Sequence, residues 1–518
     1  MNKKADILLR STAVFTYPNH SPFDGFVAIH GNHILAVGGG DANQYIDEGT
    51  KVYDLGSRLI CPGFVDTHCF FTGYLLTQSG IDLSDCAELS VLLEAVKEYG
   101  EGLEPGEPVF LCRGVRADLP QPSESQLDAL FNGKPVILFL EDGGSCWMNE
   151  SAKARYDFTP ETCWSESYWR LLRDVLGNHA KSVPAYEQYH TMLHARGVTS
   201  AKEMGFDDFY SFADALESLD KDQKLSMRVH FMSQPVGVPM NLAFGQEMRE
   251  RFKGAFVRFS GYNQMTDGSI SQMEGEMKQP YEGTDILCAK SIDWESLEKD
   301  TLTADVHGFR FSLHAQGDGA IAKTLDIFEK CAKDSHGKLL RRHAMTDLEC
   351  SDPRDLERMG RLGVIAEVYP QIMSIADRES KVAMIKEKIG LERGKNYWNR
   401  RKMLDSGVTL SCATDLPLVI DNIPESVYHS VGGRFPECGE PFNPQNTITL
   451  SKLLTAWTYG GQYNLHSEGE LGSLEAGKLA DIAVLDANLF DTPVEQVRQT
   501  GVCLTIVDGK VVFSSLEE

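Results

Sequence analysis

The chain has 518 residues, of which 50 are Lys or Arg and 75 are Asp or Glu, giving a formal net charge of −25. Hydrophobic residues make up 42% of the sequence, and at this length they are sufficient for a large buried core. The acidic excess argues against nucleic acid as a partner, because a phosphate-binding surface requires clustered cations. No apolar run in the sequence approaches the roughly 18 residues of a membrane span, so no membrane partner is expected.

The twelve cysteines are scattered between Cys61 and Cys503 without a CxxC pair. The N-terminal segment has a basic start, but polar residues interrupt the stretch after it and no apolar export-signal core forms. Scattered cysteines in a long chain of this kind are typical of reduced thiols. We therefore expect a cytoplasmic protein.

Both ends of the chain carry β-strand patterns. Short apolar runs occur at 5–10, 26–30, 33–38, 51–55, 479–485, 503–507 and 510–514. Gly31-Asn32 and Asp508-Gly509 lie between such runs and favour tight hairpin turns. We expect residues 1–59 and 467–518 to be the two parts of one small β-domain around a long insertion.

The intervening segment, 60–466, alternates short apolar runs with stretches of helical spacing. Its expected buried strands include 109–112, 136–140, 311–314 and 364–368. This alternation favours a parallel α/β core, and a TIM-like (β/α)8 barrel fits the length. A doubly wound sheet is the alternative fold, but no GxGxxG motif follows an early strand. The aromatic-rich region 150–190 is expected to be an insertion.

Polar residues that directly follow apolar runs mark the candidate site, because the C-terminal ends of barrel strands carry the active-site groups. The residues in such positions are Asp66, His68, His314, Asp347 and Asp415.

Several of these segments together resemble the amidohydrolase superfamily. Residues 62–68 read P-G-F-V-D-T-H, 314–318 read H-A-Q-G-D, 267–269 read D-G-S, and 472–481 read G-S-L-E-A-G-K-L-A-D. The set is similar to the branch that contains N-substituted formamide deformylase, in order along nearly the whole chain. The resemblance implies a TIM-like barrel with a composite β-sandwich built from both termini. It also implies hydrolysis of a C–N bond in a small molecule, with one or two divalent metals.

The resemblance assigns roles to three residues. His68 and His314 match histidines that bind metal in the family, and Asp415 matches the aspartate that accepts a proton from water. The same comparison implies that relatives pair as homodimers, so a homodimer is one expected state of this chain.

Four other expected site positions hold different residues: Phe70 and Gly144 replace histidines, Arg258 replaces a lysine, and Asp347 replaces a histidine. Phenylalanine has no lone pair to offer, and arginine stays protonated. The remaining set of His68, His314, Asp347 and Asp415 is sufficient for one ion such as Zn²⁺, but a bridged two-metal site is not expected.

Three interpretations of function remain open. In the first, the protein is a hydrolase that cleaves an amide or cyclic amide, with water activated by one bound metal ion and Asp415 as general base. In the second, a metal-free lyase, isomerase or hydrolase uses Arg258 to stabilise negative charge, with His68, His314 and Asp415 as acid and base. In the third, the chain is a non-catalytic small-molecule-binding protein.

The candidate substrate contacts are Phe70, Tyr74, Asp267 and Ser269, which follow strand ends at the expected mouth of the barrel. For Asp267 and Ser269 a loop-shaping role is the first interpretation, and substrate contact is the second.

Overall fold

The structure is a computed structural model that describes residues 3–103, 110–131, 133–141, 145–163, 167–235, 238–437 and 439–516. Gly144, at a position where the family has a histidine, and Val109, at the start of an expected strand, lie outside the described residues.

The strands of the described chain are β1 Ile7–Val14, β2 Phe23–His30, β3 His33–Gly38, β4 Lys51–Asp54, β5 Leu59–Pro62, β6 Phe64–Cys69, β7 Ile81–Asp82, β8 Phe110–Val115, β9 Val136–Leu140, β10 Cys146–Met148, β11 Val198–Glu203, β12 Arg228–Ser233, β13 Val257–Met265, β14 Phe311–Ala315, β15 Ala344–Asp347, β16 Ile365–Val368, β17 Thr409–Cys412, β18 Ile482–Leu485, β19 Val502–Val507 and β20 Lys510–Ser514.

The α-helices are α1 Phe71–Gln78, α2 Leu89–Glu101, α3 Glu124–Phe131, α4 Glu150–Tyr156, α5 Trp169–Gly177, α6 His179–His194, α7 Phe212–Lys221, α8 Leu242–Arg251, α9 Trp294–Val306, α10 Asp318–Phe328, α11 Pro353–Leu362, α12 Arg378–Lys388, α13 Gly390–Gly394, α14 Arg400–Asp405, α15 Glu425–Ser430, α16 Leu450–Thr455 and α17 Gly461–Asn464.

The N-terminal and C-terminal segments meet in one eight-stranded sheet. Its order is β20-β19-β18-β5-β1-β2-β3, with β4 paired to β1. The two ends of the chain join where β18 pairs antiparallel with β5. Asp508 and Gly509 turn the β19–β20 hairpin with φ of 52° and 73°, the left-handed region that their residue types tolerate.

A second, four-stranded sheet of order β10-β9-β8-β7 lies between the first and second barrel strands in the chain. Two strands that the sequence analysis placed in the α/β core, β8 and β9, belong to this sheet. They have a separate core that includes Leu92, Cys112, Leu138 and Trp147. An apolar run identifies a buried strand, but it does not specify which sheet the strand joins.

Eight parallel strands form a nearly closed barrel in the order β17-β16-β15-β14-β13-β12-β11-β6, which confirms the predicted fold class. Between the two end strands, the Thr67 hydroxyl donates a 2.9 Å hydrogen bond to the carbonyl oxygen of Cys412. A parallel bridge between Cys69 and Leu416 extends this closure. The first and last barrel strands therefore lie side by side.

The barrel interior is unusually polar. Every residue of β6, β11, β12 and β14 is buried, and these strands include Asp66, Lys202, His230 and His314. Charged groups in such a position require hydrogen-bonded or oppositely charged partners, because removing them from water is costly.

Helix α17 inserts side chains between the barrel strands. The Gln462 side chain donates to the Ser200 hydroxyl at 3.0 Å, and Asn464 donates to the Ser411 hydroxyl at 2.7 Å. The approach requires glycine, because a Cβ on Gly460 would lie 2.1 Å from the carbonyl oxygen of Leu410.

None of the helices in the described part of the chain combines the length and apolarity needed to cross a membrane. Eleven cysteines of the described residues form no disulfide with one another, and all of them except Cys288 are buried.

Candidate functional site

Asp66 connects the first barrel strand, β6, by hydrogen bonds to the segment that follows the last barrel strand, β17. Its buried carboxylate accepts hydrogen bonds from the backbone N–H of Thr414 at 3.1 Å and from the Thr414 hydroxyl at 2.5 Å. Burial raises the pKa of Asp66 to about 6, although the bonds from Thr414 oppose the shift. The next residue, Asp415, donates its backbone N–H to the carbonyl oxygen of His68 at 2.9 Å. The sequence-predicted Asp415 and His68 are thus brought together.

His68 and Asp415 form the first pair of the site. The distance from His68 Nε2 to Asp415 Oδ1 is 3.7 Å. On its other side, His68 Nδ1 lies 3.6 Å from Oε2 of Glu367. The side chain of His68 is 3% exposed, whereas that of Asp415 is 27% exposed. Asp415 is therefore the member that solvent and a substrate can reach.

His314 and Asp347 form the second pair. His314 Nε2 lies 3.2 Å from Asp347 Oδ2, and both side chains are largely buried. The Thr266 hydroxyl donates to the carbonyl oxygen of His314 at 2.6 Å, which fixes the end of β14. Asp347 ends β15 with φ of 77°, a conformation that non-glycine residues rarely adopt and that often occurs at functional sites.

The two histidines have opposite electrostatic environments. Burial lowers the pKa of His68; Glu367 opposes this effect, while the positive charge of Lys202 adds to it. Burial alone would also lower the pKa of His314, but the carboxylates of Asp347, Asp267 and Asp415 outweigh it and raise that pKa above its ordinary value. The site therefore favours a neutral imidazole at His68 and an imidazolium at His314.

A buried ion pair that sequence reasoning missed lies beside His68. The ammonium of Lys202 pairs with Glu367 Oε1, and both side chains have no exposed surface. Thr346 donates its hydroxyl to Glu367 Oε2 at 2.8 Å, and Asn464 donates its amide to Glu367 Oε1 at 3.0 Å. Burial lowers the pKa of Lys202 to about 7. Burial alone would raise the pKa of Glu367, but Lys202 and His68 hold it below its ordinary value.

The signal for this pair was present in the sequence. Lys202 and Glu367 are charged residues of opposite sign inside the short buried strands β11 and β16, where an unpaired charge is unfavourable. What the sequence lacks is any indication that two strands 165 residues apart bring these side chains into contact.

Tyr369 is a second missed residue. Its ring centroid lies 6.1 Å from that of His68, and its buried hydroxyl has no hydrogen-bond partner within the described chain. Burial, together with the carboxylates of Asp415 and Asp347, raises the pKa of Tyr369 well above its ordinary value. Its phenol therefore remains a hydrogen-bond donor.

Phe70 lies at the site, and Tyr74 lies behind it. The Phe70 ring packs edge-on against His68, with centroids 5.2 Å apart and planes at 75°. Tyr74, one turn into α1, instead packs against Tyr189 of α6 at 5.0 Å. Of these two predicted substrate contacts, only Phe70 is adjacent to the histidine pairs.

Asp267 and Ser269 shape the loop beside His314. Asp267 accepts 2.9 Å hydrogen bonds from the backbone N–H groups of Glu276, Gln316 and Gly317. The Ser269 hydroxyl accepts a bond from the backbone N–H of Gln272 and caps a short 3₁₀ turn. The loop-shaping interpretation fits these contacts, and Asp267 acts on the site through its charge on His314.

Arg258 is not brought to the site. It is the second residue of β13, so it lies at the N-terminal end of the barrel, whereas the histidine pairs lie at the C-terminal ends. Its guanidinium is 37% exposed, donates to the carbonyl oxygen of Gly254 at 3.2 Å and lies 3.8 Å from Glu470. The resemblance to the family aligned Arg258 with a lysine of the site. In the structure, seven further residues of β13 separate Arg258 from the C-terminal end of the strand, where the site lies.

A divalent ion requires at least three donor atoms around one point. The four predicted ligands instead form two separate pairs, and Phe70 packs against His68 where a further ligand would be needed. Among the described residues, the single group of three His, Cys, Asp or Glu donors within 4.8 Å of one another is Asp305, Cys331 and His343.

That group lies at the N-terminal end of β15, away from the histidine pairs. His343 is already satisfied there, because one ring nitrogen is bonded to Asp305 at 3.0 Å and the other to the backbone N–H of Phe311 at 2.9 Å. The predicted ligands, in this arrangement, do not fit a single metal ion.

Comparison with known sequences gives consistent matches along the chain. A family model described as "Amidohydrolase family" matches residues 51–513. The protein LONG AFTER FAR-RED 3 of Arabidopsis thaliana is 24% identical, covering 98% of this chain and 92% of its own length. N-substituted formamide deformylase of Arthrobacter pascens is 22% identical and covers 98% of both chains. Imidazolonepropionase of Streptococcus sanguinis is 20% identical over 91% of this chain and 86% of its own.

The fold is also similar to solved structures. An uncharacterized metal-dependent hydrolase from Pyrococcus furiosus superposes with a TM-score of 0.72 at 20% sequence identity. The match covers 94% of this chain and 100% of that one. At this identity the likeness concerns the fold alone.

Proposed function

Because the chain belongs to the amidohydrolase family, we propose that it hydrolyses a C–N bond of a small amide or cyclic amide at the C-terminal end of its barrel. The observation that carries this proposal is the pair of neighbouring histidine–carboxylate arrangements whose imidazoles have opposite pKa shifts. Titratable groups whose pKa values are shifted in opposite directions are suited to different roles, as base and as acid, in one reaction.

Asp415 is the base in this proposal. Its partly exposed carboxylate takes a proton from water, and the resulting hydroxide attacks the carbonyl carbon. Neutral His68, 3.7 Å away, leaves the Asp415 carboxylate its full negative charge. Burial keeps that imidazole neutral, and the Lys202–Glu367 pair acts as a positioning element on its Nδ1 side, where Glu367 lies 3.6 Å away.

His314 is the acid. Held as an imidazolium by Asp347, it donates its proton to the nitrogen as the C–N bond breaks. Asp415 then releases its proton to solvent and His314 regains one, so that one water is consumed and the charge is balanced.

The activities named for two relatives support this reaction class, since a formamide deformylase and an imidazolonepropionase are both among the matches. No step of the proposal passes through a metal, because the four side chains do not form one ligand group.

A product analysis in H₂¹⁸O tests the proposed function. Incubation with a panel of amides and lactams is expected to give a carboxylate product carrying one ¹⁸O atom and a free amine. A lyase or isomerase would convert substrate without incorporating ¹⁸O, and a non-catalytic binding protein would give no product. Either result would reject hydrolysis.

Metal analysis by mass spectrometry on the same preparation tests the metal-free route. We expect turnover to persist after dialysis against a chelator. Loss of activity that Zn²⁺ or Mn²⁺ restores would show that a metal rearranges the two pairs into one ligand set.

We also propose a cytoplasmic location, supported by the twelve cysteines scattered along the sequence without a CxxC pair. The homodimer stays a prediction from the family resemblance.

A further inference from the structure

A narrow cleft opens beside the second histidine pair. Among the residues that line it are Asp347, Tyr369, Trp398 and Arg400. Asp347 connects the cleft to His314, and Tyr369 connects it to His68. A group bound in the cleft would therefore lie near both histidines of the site.

Arg400 is a buried cation without a close counter-ion. It begins α14 directly after the N-cap residue Asn399, and it is 4% exposed. Its one hydrogen bond within the described chain runs from Nη2 to the carbonyl oxygen of Tyr369 at 2.7 Å. No carboxylate of the described residues lies within 4.0 Å of its guanidinium, although Asp347, which lines the same cleft, acts on it electrostatically, and the Nε and Nη1 groups make no hydrogen bond within that part of the chain.

Two further donors of the same cleft lack acceptors. The indole N–H of Trp398 and the hydroxyl of Tyr369 are both buried and without a hydrogen-bond partner in the described chain. Asp347 does not satisfy them, because its carboxylate is engaged by His314 at 3.2 Å. Buried donors left unpaired are unfavourable, and Trp398 and Tyr369 each have one in this cleft.

We propose that Arg400, Trp398 and Tyr369 bind a carboxylate of the substrate, so that the substrate is a small amide that also carries a carboxylate group. This inference rests on the proposed function and specifies its substrate class. A planar guanidinium matches a carboxylate through two parallel hydrogen bonds, and a neutral amide cannot supply the same partner.

The cleft is too narrow to hold a water molecule in this conformation. The carboxylate therefore enters only when the surrounding side chains separate. Trp398 is held in an aromatic cluster by Phe435 and Phe442, with ring centroids 6.2 Å and 5.7 Å from its own. The bound anion offsets the loss of this close packing by providing acceptors for all three donors.

The test compares N-acetyl-L-alanine with its uncharged analogue N-acetyl-L-alanine amide, which has nearly the same size. Isothermal titration calorimetry on the full chain is expected to give a Kd for the acid at least about tenfold lower than for the amide, as loss of a charge-assisted bidentate contact implies. Arg400→Gln is expected to remove this preference, and Arg400→Lys to retain part of it. Trp398→Phe, which removes only the N–H donor from an aromatic position, should weaken binding of the acid and not of the amide.

Equal Kd values for the acid and the amide would overturn the inference. So would a preference for the acid that survives in Arg400→Gln, or no measurable binding of the acid to the wild-type protein. Circular dichroism of each variant checks folding, and Trp398→Phe keeps the inference testable if the Arg400 variants do not fold. Because binding is measured without turnover, preferential binding with no hydrolysis would reject only the proposed reaction. Hydrolysis with equal kcat/KM for the two compounds would reject only the carboxylate site.

Discussion

His68 and His314 occupy comparable places at the ends of barrel strands, both are buried, and both lie beside carboxylates, yet their pKa values move in opposite directions. The difference lies in what else each carboxylate contacts. Glu367, beside His68, is already paired with Lys202 and lies 3.6 Å from Arg310. Asp347, beside His314, has no other cation within 4.0 Å in the described chain.

This comparison shows that a histidine–carboxylate distance does not by itself define the protonation state. Glu367 favours a proton on His68, but Lys202 offsets part of that effect and burial, the largest contribution, decides the pKa of His68. A carboxylate without another partner keeps the proton on His314. The two pairs are therefore assigned different roles in one reaction.

The largest effect is expected from Asp415→Asn, which removes the base from the first pair. Asparagine keeps the shape of the side chain but cannot accept a proton from water, so kcat should fall by about 10²–10⁴-fold. Steady-state kinetics measures this loss, and thermal unfolding should show that the fold is retained. Activity within a fewfold of wild type would remove Asp415 from the mechanism.

Lys202→Met should make the first pair resemble the second. Without the ammonium, Glu367 is free to stabilise a proton on His68, and the pKa of that imidazole should rise. Breaking a buried pair should also lower the free energy of unfolding by about 3–5 kcal/mol. Denaturant unfolding measures the second effect, and the ¹⁵N chemical shifts of the His68 ring measure the first.

The double variant Lys202→Met with Glu367→Gln is the matched control. It removes both charges of the Lys202–Glu367 pair and leaves only Arg310 without its carboxylate neighbour, so part of the lost stability should return while the pKa of His68 stays low. If the single Lys202→Met variant left the His68 titration unchanged, the assigned cause of the difference between the two histidines would be wrong.

Asp347→Asn should make the second pair resemble the first. With the negative charge removed, burial dominates and the pKa of His314 should fall, moving the alkaline limb of kcat/KM towards lower pH. The sign for stability is set by linkage: a raised histidine pKa stabilises the fold at low pH, and the contribution is lost as pH rises through the folded-state value. The difference in unfolding free energy between wild type and variant should therefore be greater at pH 5 than at pH 9. A difference that grows with pH would contradict it.

The smallest effect is expected from Arg258→Gln, at the opposite end of the barrel from both pairs. Its partly exposed guanidinium contacts one carbonyl oxygen and the exposed Glu470, so stability should change by no more than about 0.5 kcal/mol. Activity should be nearly unchanged. A loss comparable to that of Asp415→Asn would restore the role that sequence reasoning gave to this residue.

The sequence predicted the barrel and the terminal sheet from local patterns, because hairpin signals such as Asp508-Gly509 and polar residues after apolar runs are local properties. Its four predicted ligands, His68, His314, Asp347 and Asp415, are brought together by the fold as two pairs. The sequence prediction placed Arg258 in the site, whereas it lies at the other end of β13. A motif match does not specify how many residues of the strand precede the site.

Lys202, Glu367 and Arg400 were missed for another reason. Their significance depends on which side chains they meet, or fail to meet, across long stretches of chain, and a single sequence does not contain those contacts. The small sheet β7–β10 was misassigned for the same reason, since strand character is local while strand pairing is not.

The hydrogen bonds between Asp66 and Thr414 join residues that are 348 positions apart. At synthesis rates of roughly 5–20 residues per second, a ribosome needs about 17–70 s to pass from one to the other. During that interval the first barrel strand has been made, but the strand that closes the barrel beside it has not. A nascent chain must therefore protect the interior charges of Asp66 and Lys202 while the sheet is still open. Slowing translation between residues 66 and 414 should increase the dependence of folding on chaperones.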